Sequence, residues 1–268
     1  MRLENRVAIV TGAAGGIGEA MAKAFAAEGA RVVAADINEE ESIRCADVIT
    51  QAGGTAIARR VDVTDAADAG RMVAATVAEY GQVDIIANVA GTGFRHSFLD
   101  ATAEDFERVM RVNVIGTFNT GQAAAREMAK RCYGRIINIA SIAGNRAGAG
   151  RTAYGTSKSA VMGLTRQAAL ELGPLGITVN AVAPGPVDTA MTRVTHNQAT
   201  RDGYASLIPA GRYGTVDEMA DAAVFLAGEA AAYVNGLILY VDGGYTAAGI
   251  SSDFAGYIDP KTKGRPLA

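Results

Sequence analysis

The chain has 268 residues, of which 49% are hydrophobic, 20% are charged and 32 are glycine, and its formal net charge is −3. That length accommodates one α/β sheet with a large core, and a faintly acidic balance gives nucleic acid nothing to bind. Cys45 and Cys132, both expected on helices, lie far apart without CxxC spacing, only His96 and His196 offer imidazoles, and no apolar stretch reaches the ~18 residues of a membrane span, so no disulfide, metal or membrane partner is expected and the protein is placed in the cytoplasm.

From the N-terminus, short apolar runs alternate with longer amphipathic ones, the rhythm of βαβ units and a parallel sheet. Strands are expected at 7–11, 31–36, 56–62, 83–88, 135–141, 178–183 and 237–241. Helices are expected at 16–28, 39–52, 66–80, 102–131 with a break, 153–172 and 216–227. Asp65, Thr102 and Thr215 are placed to cap three of these helices, each followed three positions on by an acidic residue, Asp68, Asp105 and Glu218. Apolar strands without polar alternation are those of a sheet covered by helices on both faces.

The first strand runs into the first helix through Thr11-Gly12-Ala13-Ala14-Gly15-Gly16-Ile17-Gly18. Glycine there lets a pyrophosphate approach the backbone, and the free N–H groups of the helix start face the same place. Asp36 closes the second strand eighteen residues after Gly18, where a carboxylate accepts from ribose hydroxyls, or alternatively caps the next helix. It would repel a 2′-phosphate, and the neighbouring Ile37 and Asn38 supply no arginine to receive one, so the expected cofactor is NAD.

Tyr154 and Lys158 stand four positions apart in a run suited to a helix, which puts both side chains on one face. An ammonium beside a phenol lowers its pKa from the usual ~10, so Lys158 is expected to make Tyr154 a usable proton acceptor. Ser141, ending an apolar run, is a candidate to hold a substrate oxygen. The same spacing also suits a solvated Tyr/Lys pair and a serine that merely ends a strand.

With these segments in order along nearly its whole length, the chain resembles the short-chain dehydrogenase/reductase family. Its TGxxxGxG pattern falls on residues 11–18 and its YxxxK on Tyr154 and Lys158. Its NNAG falls on Asn88-Val89-Ala90-Gly91, with Val89 departing from the pattern, and its adenine-contacting pair on Asp62-Val63. Its PGxxxT falls on Pro184, Gly185 and Thr189, and its last-strand ending on Asp242-Gly243-Gly244.

The resemblance implies one Rossmann-type doubly wound domain over residues 1–246, with a seven-stranded, mainly parallel sheet and helices on both faces, followed by an extension over 247–268 packed partly on a lid or a neighbouring subunit. It implies a catalytic tetrad of Asn113, Ser141, Tyr154 and Lys158 that interconverts a secondary alcohol and a ketone. Lys158 would also bind the nicotinamide ribose, Asn113 would hold a relay water, and Thr189 with the backbone near Val187 would fix the carboxamide. Gly12, Gly15, Gly16, Ile17, Gly18, Asp36, Ile37, Asp62, Val63, Asn88, Ala90, Gly91, Pro184 and Gly185 complete the expected cofactor contacts. A homotetramer or dimer is implied. The alternatives are a 3-oxoacyl-thioester reductase, which Asp36 disfavours, and a catalytically idle nucleotide sensor or scaffold.

The pocket walls are expected from 91–98, 142–151 and 186–209, the last as a lid, with His96, Asn145 and Arg151 joining Ser141 and Tyr154 as contacts to a small-molecule substrate.

Overall fold

Strand β1 (Val7–Thr11) lies inside the sheet, with a strand on each side, and is buried along its whole length. Ala8 and Val10 enter one apolar core while Ile9 enters the other, the period-two alternation of a strand covered on both faces. This is a computed structural model, and it describes residues 1–248. The remaining strands are β2 (Arg31–Asp36), β3 (Thr55–Arg60), β4 (Ile85–Asn88), β5 (Gly134–Ile139), β6 (Ile177–Pro184) and β7 (Ile238–Val241), in the order β3-β2-β1-β4-β5-β6-β7. All six neighbouring pairs are parallel.

Helices α1 (Gly16–Ala27), α2 (Glu39–Gln51) and α9 (Val216–Ala227) supply Phe25, Ile49 and Val224 to one core. Helices α3 (Ala66–Tyr80), α5 (Thr117–Ala129) and α6 (Thr152–Leu172) supply Met72, Met128 and Ala169 to the other. Strand order reverses between β1 and β4, so the crevice of a doubly wound sheet opens above their carboxyl ends. Thr11 ties the two ends together there, its hydroxyl accepting from the Val89 N–H at 3.2 Å and the Ala90 N–H at 3.4 Å.

The three expected caps form. Asp65 accepts from the Ala67 N–H, Thr102 from the Asp105 N–H, and Thr215 makes a reciprocal pair with Glu218. The expected break in 102–131 is a wide turn, Arg111–Gly116, of π-helical geometry between α4 (Ala103–Met110) and α5. Strand β3 stops at Arg60, two residues early, because Asp62 turns the chain by accepting from the Thr64 N–H and hydroxyl. Cys132 is not helical. It follows α5 in a turn with φ 52°, next to the close approach of Gly176 to its carbonyl.

Within the expected lid, α7 (Ala190–Thr195) and α8 (Gln198–Leu207) form, capped by Thr189 and Asn197. They are six and ten residues long, too short to show a helical period against a background of polar residues. Of the expected extension, residues 249–268, with Phe254 and Tyr257, lie outside the described residues.

Candidate active site

The glycine-rich turn after β1 is built around backbone contacts that a side chain would break. Gly12 has φ 72°, and a Cβ on it would lie 2.7 Å from the Ala90 nitrogen, while one on Gly18 would land on the Gly12 carbonyl. Gly15 differs. A Cβ there would meet nothing within 4 Å, so the turn encloses open space at the start of α1, which suits a pyrophosphate. Asp36 reaches the turn, its Oδ2 accepting from the Ala14 N–H at 3.1 Å and its Oδ1 from the Asn38 N–H at 3.0 Å. Asp36 is therefore not the cap of α2; that cap is Asn38, which accepts from the Glu41 N–H. Ile37 beside it is 60% exposed, an apolar surface next to the turn.

Gly91 stands over the tetrad: a Cβ there would be 3.2 Å from Asn113 Oδ1 and 3.6 Å from Lys158 Nζ. Two residues on, the Gly93 position presses against the Tyr154 ring, with a virtual Cβ at 2.8 Å. Ser141 follows β5, and its hydroxyl interacts with the Tyr154 phenol. The four side chains expected to form the tetrad are thus gathered from the π turn, the end of β5 and the first two turns of α6.

Their hydrogen bonds differ in part from expectation. Lys158 is buried and donates to the Ile139 carbonyl oxygen at 2.7 Å, with its nitrogen 5.7 Å from the centre of the Tyr154 ring. Burial lowers its pKa to about 8. Burial also pushes the Tyr154 phenol up, while Ser141 and then Arg151 pull it back. The expected lowering of Tyr154 by Lys158 is not among these causes, and burial, which strips water from both groups, sets the direction of each shift. Asn113 clamps the neighbouring loop. It accepts from the Thr92 N–H at 2.8 Å and donates to the Thr92 carbonyl and the Ser157 hydroxyl, both at 2.9 Å.

The cofactor-side residues divide likewise. Asn88 is buried, and its side chain is taken by Asn138 at 2.9 Å and Thr120 at 2.7 Å, so it fixes the Val89–Gly91 loop from beneath. Asp62 is spent on Thr64, leaving Val63 against Gly116. Gly185 packs on Asp242, Val187 accepts from the Thr192 hydroxyl, and the Thr189 hydroxyl caps α7.

The chain as a whole has known counterparts. Residues 12–246 match a family model described as enoyl-(acyl carrier protein) reductase. The chain is 43% identical to the 2-(R)-hydroxypropyl-CoM dehydrogenase of Xanthobacter autotrophicus, over 91% of this chain and 99% of that one. It is 40% identical to the D-threitol dehydrogenase of Mycolicibacterium smegmatis, over 91% and 94%. The chain belongs to the short-chain dehydrogenase/reductase family. Among solved structures, the gluconate 5-dehydrogenase of Burkholderia cenocepacia in complex with NADP and tartrate superposes with a TM-score of 0.89 at 37% identity, covering 92% of this chain and 98% of that one. As a short-chain dehydrogenase/reductase, this oxidoreductase uses a nicotinamide cofactor on alcohol or ketone substrates.

Of the three expected substrate contacts in this dehydrogenase/reductase, Arg151 alone lies against the tetrad, its guanidinium 5.4 Å from the Tyr154 ring centre. His96 and Asn145 are exposed on the rim. Ser157 and Thr92, which hydrogen-bond Asn113, are not singled out by the spacing arguments, because their partner is distant in sequence. The segment expected as a lid adds a cluster in which His196 Nδ1 pairs with the Tyr213 hydroxyl at 2.9 Å and its ring stacks on Tyr204.

Proposed function

We propose that this enzyme is an NAD-dependent dehydrogenase that interconverts a small secondary alcohol and its ketone, with Tyr154 as general acid and base. The observation that carries this reading is the convergence of Ser141, Tyr154, Lys158 and Asn113 beneath Gly91, next to the open turn at Gly15.

NAD, when bound, supplies the hydride acceptor, and the chain supplies everything else. In reduction, Tyr154 gives its proton to the ketone oxygen while the Ser141 hydroxyl holds that oxygen; in oxidation, Tyr154 takes the proton back. A buried phenol with a raised pKa keeps its proton near neutrality and so enters the reduction in its acid form. As a base it needs positive charge nearby, which Arg151, Lys158 and a cationic nicotinamide ring would provide. Lys158 would reach the nicotinamide ribose from its anchor on Ile139. Asn113, by fixing both backbone groups of Thr92, would hold the Gly91 loop against the cofactor. Gly12, Gly16, Ile17 and Gly18 would shape the pyrophosphate turn, Ile37, Asp62 and Val63 would border the adenine, and Ala90, Pro184, Gly185, Val187 and Thr189 the nicotinamide.

Asp36 supports NAD over NADP. Its carboxylate occupies the end of β2 beside the turn, and Arg44, which reaches the same turn, is committed to Glu19 and Glu41. The Burkholderia relative carries NADP, and the reading of NAD for this chain is argued from its own Asp36.

We further assign a homotetramer in the cytoplasm, where the dinucleotide pool lies. The assembly is supported by Ile115, Phe118 and Leu170, large apolar side chains left exposed on the π turn, α5 and α6.

The test is formation of reduced cofactor on a panel of secondary alcohols. Turnover with NAD, reduced about 10²- to 10⁴-fold in Tyr154→Phe while NADH still binds, supports the assignment. Equal turnover in Tyr154→Phe rules it out.

A further inference from the structure

The rim of the site holds positive charge that no carboxylate among the described residues neutralises. Arg151, just ahead of α6, lays its guanidinium over the Tyr154 ring and forms no ion pair among the described residues. Arg95 and Arg146 also lack a carboxylate partner among the described residues, Arg146 donating instead to the Thr246 carbonyl oxygen at 2.9 Å. The Arg95 and Arg151 loops meet: a Cβ on Gly150 would lie 3.4 Å from the His96 carbonyl oxygen and 3.7 Å from Arg95 Cγ.

Among the described residues, four acidic side chains of the surrounding loops are turned to other partners. Asp100 bonds Ser97, Asp202 accepts from Gln198, Asp242 accepts from Gly244 and Thr246, and Asp188 pairs with Arg193 and Arg201. The field reaches the lid, where His196 is held below its usual range by burial first and then by Arg151, Arg95 and Arg201. In a chain of net charge −3, this concentration of cations is local. A guanidinium that lies over a phenol ring at this distance keeps forked N–H groups, and these match the two oxygens of an oxyanion.

We infer that Arg151, with Arg95 across the rim, forms an anion subsite, so that the substrate is a short secondary alcohol or ketone bearing an oxyanionic group, its carbinol oxygen at Tyr154 and its charge on Arg151. This rests on the reading of Tyr154 as the acid and base. Carboxylate, sulfonate and phosphate share the required chemistry, and rates separate them.

The experiment compares 3-hydroxybutyrate, the sulfonate and phosphate of matching skeleton, and the neutral methyl ester, in wild type, Arg151→Met, Arg151→Lys and Arg95→Met. In the wild type, kcat/KM for the preferred anion exceeds that for the ester by about 10- to 100-fold. Arg151→Met brings that ratio towards one, chiefly through KM, and Arg151→Lys restores part of it. Added salt raises KM for the anion and not for the ester. If Arg151→Met does not fold, Arg95→Met carries the same comparison with a smaller loss.

A ratio unchanged in the Arg151 variants, or an ester preferred over every anion, overturns the subsite. If no alcohol reacts at all, the acid and base reading falls, and the subsite is judged by calorimetric binding of tartrate to the NADH-loaded protein. Binding at least about tenfold weaker in Arg151→Met supports it. Equal binding overturns it.

Discussion

Lys158 carries its ammonium into a site where it is 4% exposed and has the Ile139 carbonyl oxygen as its hydrogen-bond acceptor. Its folded pKa, about 8, lies below the 10.5 of the free side chain. Between those values the unfolded chain binds the proton and the folded chain does not, so the contribution of this group to stability rises with pH through that window. Below about 8 both states are protonated and the burial penalty is fully present. Lys158→Met is therefore expected to be more stable than wild type near neutrality, with the gain vanishing towards alkaline pH. Each tenfold change in proton affinity is worth roughly 1.4 kcal/mol, so the gain is at most a few kcal/mol. Urea midpoints across a pH series measure it, and a gain independent of pH would mean that the amine is not desolvated. Asn138 is a second residue whose worth lies in its partners. It accepts from Asn88 at 2.9 Å and donates to the Thr165 hydroxyl at 3.0 Å, all three being buried. Asn138→Ala would strand both neighbours at about 1–3 kcal/mol each, and would loosen the loop that Asn88 supports. At Asp36, replacement by Asn removes the charge that faces a 2′-phosphate. The ratio of kcat/KM for NADP over NAD should rise by about tenfold or more, and an unchanged ratio would move cofactor selection elsewhere.

Among the elements, the wide turn before α5 and the cap of α9 show how local chemistry sets a helix. The π turn places Asn113 under Thr92 and brings Gly116 so close to Val63 that a Cβ would be 2.6 Å from its Cγ2. Gly116→Ala should therefore lower the melting temperature and raise KM for the cofactor together, since Val63 lies on its expected path; a stability loss with unchanged KM would separate the two. At α9, Glu218 is held at about 2 first by Arg212 and then by the Thr215 N–H. A depressed carboxylate stabilises the fold above its unfolded pKa, and that contribution is lost as pH falls towards the folded value. Glu218→Gln should melt below wild type at neutral pH, with the difference closing as pH falls from 4.5 towards 2. Thr215→Ala, which removes the other half of the box, should cost about 1 kcal/mol.

For the whole molecule, the exposed apolar face of α5 and α6 predicts assembly. Leu170 is 74% exposed, so Leu170→Glu should leave the fold of one subunit within about 0.5 kcal/mol of wild type while sedimentation velocity reports a smaller species. An unchanged species would place the interface elsewhere. The seven strands and six principal helices were legible in the sequence because each carries its own signal: apolar runs of β1 and β2, caps at Asp65 and Thr215, glycines where the first turn meets Ala90. The order of functional segments along the chain was legible for the same reason, since spacing within one element is a local property. Short α7 and α8, the π turn, the commitment of Asn88 and Asn113 to buried partners, and the meeting of the loops that carry Arg95 and Arg151 required the fold. So did the proton affinities. The four-residue spacing of Tyr154 and Lys158 determined that they share a face, but desolvation depends on what the sheet and loops pack around that face. Burial is a sum over residues distant in sequence, and it therefore decided the direction in which both groups moved.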